Sequence, residues 1–325
     1  MRLRARIASL AMVAVGIGAV AGCGSTAAAQ SPRPAVSPAT ASAARTPAQA
    51  SPSARRSSAS PAIEVTSAPR GVKAEGAALA DAVTGQVLWA RAAGTERPMA
   101  SVTKVMTALL VLESGHLGQE VQVPEAAFNY ARKYGGESAA LHPGDVLTVG
   151  ELLEALLLPS GADAAYTLAN VYGPGLDAFV ARMNATAARM GMTQTHFTSP
   201  DGLPYPTETS TYSTPSDLLT LGLAAIRYPV FRSIVGQRFY QLQKGPGHHA
   251  YWWDNTNTLI GSYQGAAGIK TGYTDDAGHC LLFEATRNGR TLIGAVLGSP
   301  ATGPAAATQD ASRMLNWGFG LPRTG

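Results

Sequence analysis

Ser101 and Lys104 stand three residues apart in Met99-Ala-Ser-Val-Thr-Lys104, at the head of an apolar run from Val102 to Leu112 that holds neither Gly nor Pro. Such a run predicts a buried helix with Ser101 at its N-terminal edge, and residues three apart share one helix face. A hydroxyl is thereby held beside an amine at the positive end of a helix dipole. That pairing suits a serine nucleophile with lysine as its base. A helix N-cap serine followed by a surface lysine would give the same letters. With 23 Ser and five Lys in the chain, about 0.35 such pairs arise by chance, so the pair alone decides nothing.

A second rare lysine changes this. Lys270-Thr271-Gly272 lies in Gly265-Ala-Ala-Gly-Ile-Lys-Thr-Gly-Tyr273, and chance supplies only about 0.05 such triplets at this composition. Between the two lies Pro159-Ser-Gly-Ala-Asp163, directly after the apolar segment Leu152–Leu158. Taken singly, Ser160 reads as a turn residue before a helix near Ala162, and Lys270-Thr271 as a solvated strand edge. The order and spacing of all three together argue against those readings.

In that order the segments resemble the three-part signature of the penicillin-binding, active-site-serine enzymes. The chain is specifically similar to the D-alanyl-D-alanine carboxypeptidases of low molecular mass. His142-Pro-Gly-Asp145, Ser199-Pro-Asp-Gly-Leu203 and Asp254-Asn-Thr-Asn257 extend the likeness, which covers roughly residues 71–320. The resemblance implies that Ser101 attacks the carbonyl of a stem peptide ending in D-Ala-D-Ala, with Lys104 as base and Ser160 relaying the proton to the departing D-alanine. It implies that Lys270, Thr271 and Gly272 form the substrate-binding strand, with Thr271 bonding the substrate carboxylate. The oxyanion hole would be the backbone amides of Ser101 and Tyr273, and β-lactams would be covalent inhibitors. A lysine at its usual pKa of about 10.4 cannot accept a proton at neutral pH, so Lys104 must be depressed by burial or by a second cation, which Lys270 would supply.

One position departs from the family. Ala162 stands where an Asn, sometimes a Cys, is usual, and alanine can neither hold an amide carbonyl nor contact the lysines. Asn257 or a water would have to compensate. The same acyl-enzyme also serves a D,D-transpeptidase, and Ala162 leaves open a wall-binding pseudoenzyme. A serine β-lactamase of the commonest class needs a Glu followed four residues later by Asn between the middle motif and Lys270. Only Glu125/Asn129 and Glu284/Asn288 have that spacing, both outside the interval.

The N-terminus places the chemistry. Arg2, Arg4 and Arg6 precede an apolar run from Ile7 to Ala21, a signal-peptide layout whose roughly 15 residues are short for a membrane span. It ends Val20-Ala-Gly-Cys23, which resembles a lipoprotein lipobox. The expectation is therefore a signal peptide over residues 1–22, lipidation at Cys23, and an enzyme held at the outer face of the membrane. An ordinary signal peptide cut near Ala28 is the other reading. Residues 23–70 are dominated by Ala, Ser, Pro, Thr and Arg, and the first acidic residue of the chain is Glu64. Such composition predicts a disordered tether leading to a catalytic domain over residues 71–325. No second domain is expected after the last helix.

Much of the formal charge of +4 comes from this signal and tether, and the basic residues are not interleaved with aromatics, so nucleic acid is not an expected partner. Cys280, the other of two cysteines, reads as a buried small hydrophobe. The six histidines lack ligand spacing, and neither a metal nor a cofactor is expected. Trp252 and Trp253 read as packing residues more than as a sugar platform.

The positioning elements follow from pattern. Ala77–Asp81 and Gln86–Ala90 flank the turn Ala82-Val-Thr-Gly85 as an opening hairpin. Thr148-Val-Gly-Glu151 fits a capping box for a helix to Leu158, Gly175–Met190 has helical period, and Thr214-Pro215 caps a helix through Ile226. His279–Thr286 and Thr291–Gly298 form a hairpin through Asn288-Gly289, and a last helix spans Ala305–Trp317. Lys270–Gly272 is expected on an edge strand, where a peptide can add as a further strand. Strands at both ends with helices between predict an α+β fold, an antiparallel sheet covered by helices with an inserted helical subdomain. The family fold has the same plan, with the site in the cleft between the two.

Overall fold

A computed structural model describes residues 68–300, 303 and 305–322. The expected signal peptide, Cys23 and nearly all of the tether lie outside the described residues. In chain order the strands are β1 (Gly76–Asp81), β2 (Val87–Arg91), β3 (Arg97–Pro98), β4 (Glu120–Gln122), β5 (Val146–Thr148), β6 (Tyr212–Ser213), β7 (Phe239–Leu242), β8 (Tyr251–Asp254), β9 (Ala266–Thr274), β10 (Gly278–Arg287) and β11 (Arg290–Ser299). The helices are α1 (Lys104–Leu112), α2 (Glu125–Lys133), α3 (Val149–Leu157), α4 (Ala162–Tyr172), α5 (Leu176–Arg189), α6 (Pro215–Ala225), α7 (Pro229–Val235) and α8 (Ala306–Phe319). A 3-10 turn, Ala100–Thr103, leads into α1.

The main sheet is antiparallel in the order β2-β1-β11-β10-β9, so the first and last strands of the domain are neighbours. Local chemistry makes its hairpins. Asp81 Oδ1 accepts from the Val83 and Thr84 amides and turns β1 into β2. Asn288 and Gly289 both take positive φ, 50° and 75°, the pairing that matches strand twist between β10 and β11.

Both faces of the sheet are buried. On one side Leu79, Leu281, Phe283 and Leu292 pack with Met314 and Leu315 of α8. On the other Ala78, Ala80, Leu282 and Ile293 join a core with Val105, Leu109, Leu218 and Leu221 of α1 and α6. Alternation along each strand delivers one residue set to each layer. The segment between β3 and β6 holds α1 to α5. The capping box of α3 forms as the sequence predicts, Glu151 N donating to Thr148 Oγ1 and Thr148 N to Glu151 Oε2, and Thr214 caps α6. The α+β architecture with a helical insert is thus observed.

One boundary differs from the sequence reading. The regular helix begins at Lys104, not at Val102, because Ala100 sits at φ +48° and winds Ala100–Thr103 into the tighter turn.

Candidate active site

The tight turn matters to the chemistry. In 3-10 geometry residues three apart eclipse one another more closely than in an α-helix, and Lys104 Nζ lies 2.9 Å from Ser101 Oγ. Lys104 is buried, and its ammonium also donates to the Asp201 carbonyl at 2.9 Å. The turn carrying Asp201 is fixed in turn by Thr107 Oγ1, which donates to the Pro200 carbonyl at 2.5 Å. A helix residue thus anchors the loop that orients the lysine.

Lys270 lies on β9, which is an edge strand as expected, and is as buried as Lys104. Its Nζ donates to the Thr271 carbonyl at 3.1 Å, and Thr271 Oγ1 meets Thr256 Oγ1 at 2.7 Å. Ser160 precedes α4 at φ +69°, and its buried hydroxyl has no hydrogen-bond partner. An unmet buried hydroxyl is costly, and here it lines the same cleft as Ser101. That cleft, 310 Å³ in volume, is walled by Ser101, Glu137, Ser160, Thr271, Gly272 and Tyr273, with Thr256 and Cys280 beside them. Burial holds Lys104 below its usual pKa, against the carboxylates of Asp201, Asp163 and Glu137, which pull it up. Burial and then the charge of Lys104 push Lys270 well below its own, with Glu137 opposing. The depression of Lys104 expected from the sequence is present with desolvation as its main cause, and the repulsion between the two ammoniums falls on Lys270.

All three motifs therefore meet in one cleft. Tyr273 on β9 lines the cleft, its ring tilted against His279 and half exposed. Ala162 is fully buried, donates its N–H to the Glu137 carbonyl at 2.7 Å, and does not line the cleft. Asn257, one of the two compensations open from the sequence, lines a neighbouring cavity and not the cleft, its Oδ1 accepting from the Leu259 amide. Cys280 is buried as predicted, its thiol pushed up to about 12 by desolvation. Trp253 is core, whereas Trp252 is exposed and stacked on Phe239. Among the described residues no three His, Cys, Asp or Glu side chains are grouped to hold a metal ion.

Glu137, Asp201 and Thr256 were not singled out by sequence reasoning. Asp201 and Thr256 fall inside segments that extend the family likeness, and that context was the available signal. Nothing local marks Glu137, which reaches the cleft only through the fold.

Comparison with known proteins agrees with the geometry. Residues 63–301 match the family model described as D-alanyl-D-alanine carboxypeptidase. A D-alanyl-D-alanine carboxypeptidase of Streptomyces sp. strain K15 is 40% identical over 73% of this chain and 84% of its own length. D-alanyl-D-alanine carboxypeptidase DacB2 of Mycobacterium tuberculosis is 37% identical over 75% of this chain and 81% of its own. The crystal structure of the Streptomyces K15 DD-transpeptidase superposes with a TM-score of 0.72 at 38% identity, covering 77% of this chain and 98% of that one. With Ser101, Ser160 and the Thr271–Gly272 edge in one cleft and Lys104 and Lys270 buried behind them, the chain belongs to the D-alanyl-D-alanine carboxypeptidase family.

Proposed function

We propose that the protein removes the terminal D-Ala of peptidoglycan stem peptides through an acyl-enzyme on Ser101. The observation that carries this is the 2.9 Å contact of Lys104 Nζ with Ser101 Oγ at a cleft bounded by Ser160, Thr271 and Gly272.

Burial holds both lysines below their usual range, and the charge of Lys104 depresses Lys270 further, which favours one proton held between the pair over two. A substrate carboxylate at Lys270 and Thr271 draws that proton to Lys270 and leaves Lys104 as a free amine. The peptide lies along the edge of β9 as an added strand. Ser101 Oγ then forms a bond to the carbonyl carbon of the penultimate D-Ala while its proton passes to Lys104. The backbone amides of Ser101 and Tyr273 stabilise the oxyanion, each worth about 3 kcal/mol. On collapse the C–N bond breaks, the proton reaches the leaving amine through Ser160 Oγ, and D-Ala departs. Water releases the acyl group. An amine in its place gives transfer, and the relative described as a DD-transpeptidase favours that as the second reading. The export that a wall substrate requires fits a signal peptide over residues 1–22, lipidation at Cys23 and a tether to residue 70 ahead of the catalytic domain.

The test is release of D-Ala from an acyl-D-Ala-D-Ala peptide by the protein and by Ser101→Ala. Turnover is expected to vanish in the variant with its circular dichroism unchanged. Release above background by Ser101→Ala would overturn the nucleophile assignment.

A further inference from the structure

A second hollow of 480 Å³ is lined by residues next in sequence to those of the cleft. Thr256 lines the catalytic cleft while its neighbours Asn255 and Asn257 line the second cavity. Thr258 of that cavity bonds Thr308 of the cleft wall at 3.0 Å.

Its chemistry is that of a binding site. Asn257 is only 1% exposed, and its Nδ2 has no hydrogen-bond partner. Arg238 lines the cavity and forms no salt bridge among the described residues. Asp254 receives the Trp252 indole N–H on Oδ1 at 3.1 Å. Phe239 of the cavity lining stacks on Trp252 outside it, with centroids 4.3 Å apart and planes 12° from parallel, the two 46% and 53% exposed. A stacked, exposed aromatic pair offers a flat apolar surface on which a ligand's apolar face can lie.

The ledge is rigid. Phe239 and Trp252 lie on the outward face of the β7–β8 ribbon, and its inward face is pinned by Trp253 Nε1 to the Ala139 carbonyl at 2.8 Å and Tyr251 OH to Asp145 at 2.6 Å. A flat apolar ledge next to an amide, a carboxylate and a guanidinium suits a pyranose, which offers a C–H face for stacking and hydroxyl and acetamido groups for hydrogen bonds. A few convergent polar groups in a cavity of this size are the usual make-up of a ligand site.

We propose that this cavity and its Phe239–Trp252 ledge bind an N-acetylated hexosamine saccharide, the glycan strand to which the stem peptide is attached. The proposal rests on the wall-peptide reading above and adds a second contact to the same polymer. Because glycan and peptide are covalently joined, holding the sugar raises the local concentration of the stem at Ser101.

Titration of the full chain with the tetramer of N-acetylglucosamine, followed by tryptophan fluorescence, is expected to give a saturable change that is lost in Trp252→Ala and weakened in Arg238→Ala. In kinetics, the ratio of kcat/KM for glycan-linked over free stem peptide is expected to fall about tenfold in Trp252→Ala, the scale of 1.4 kcal/mol of lost binding. No saturable change in the millimolar range, binding that survives Trp252→Ala, or an unchanged ratio would overturn the proposal. So would binding of the ledge to anionic phospholipid vesicles with none to the saccharide. The titration needs no turnover, and benzylpenicillin acylation of Ser101 needs no saccharide, so failure of this site and failure of the proposed activity are read separately.

Discussion

Gly272 passes so close to the nucleophile turn that a Cβ on it would lie 3.0 Å from the Ser101 amide nitrogen and 2.8 Å from the Met99 carbonyl. The strand that presents Lys270 and Thr271 is therefore packed against the amide assigned to the oxyanion hole. Gly272→Ala is expected to push β9 away from Ser101 and lower kcat/KM by about a hundredfold, the scale of losing one oxyanion donor, while the protein stays folded. A variant with ordinary kinetics would show that the contact carries no catalytic geometry.

Thr256 supports the carboxylate site through its 2.7 Å bond to Thr271 Oγ1. Thr256→Val removes that partner with little change in volume. KM for an acyl-D-Ala-D-Ala peptide is expected to rise about fivefold, about 1 kcal/mol of a hydrogen bond, with kcat little changed. A fall in kcat at constant KM would instead place Thr256 in the chemical step.

Ala162 is closed over by its neighbours. A Cβ at Gly136 would already lie 2.9 Å from Ala162 Cβ and 3.0 Å from Leu203 Cδ1. Overpacking a site this tight costs about 1–3 kcal/mol, so Ala162→Asn is expected to lower the melting temperature and leave D-Ala release no faster. A faster variant would mean that the cleft has kept room for the amide.

Glu154 on α3 is nearly buried, and desolvation raises its pKa from 4.5 to about 7 against the donation of Gln237. The folded state then holds a proton that the unfolded state releases, so this contribution to stability is complete below pH 4.5 and is lost as pH rises through about 7. Thermal midpoints measured across that window should decline with pH, and Glu154→Gln should flatten the decline. An identical slope in the variant would remove Glu154 as its source.

What was legible in the sequence was local or periodic. Asn288-Gly289, Thr148 with Glu151, and Thr214-Pro215 each encode their turn or cap in adjacent residues, and all three form. The three motifs named the cleft through their resemblance to a family. What escaped reading arises from long-range approach. Asp201 meets Lys104 across 97 positions, Glu137 reaches the cleft from the segment after α2, and Asn257 is turned by its own loop. The 3-10 entry at Ser101 depends on a positive φ at Ala100, which alanine does not advertise. Trp252 and Trp253 are adjacent letters with opposite fates, set by which face of the β7–β8 ribbon meets the core.

The most direct measurement is intact-protein mass spectrometry after incubation with benzylpenicillin, with peptide mapping of the product. A persistent adduct of one drug molecule on Ser101, absent in Ser101→Ala, is predicted. An adduct on another residue, or an unmodified protein beside intact drug, would contradict the serine acyl-enzyme.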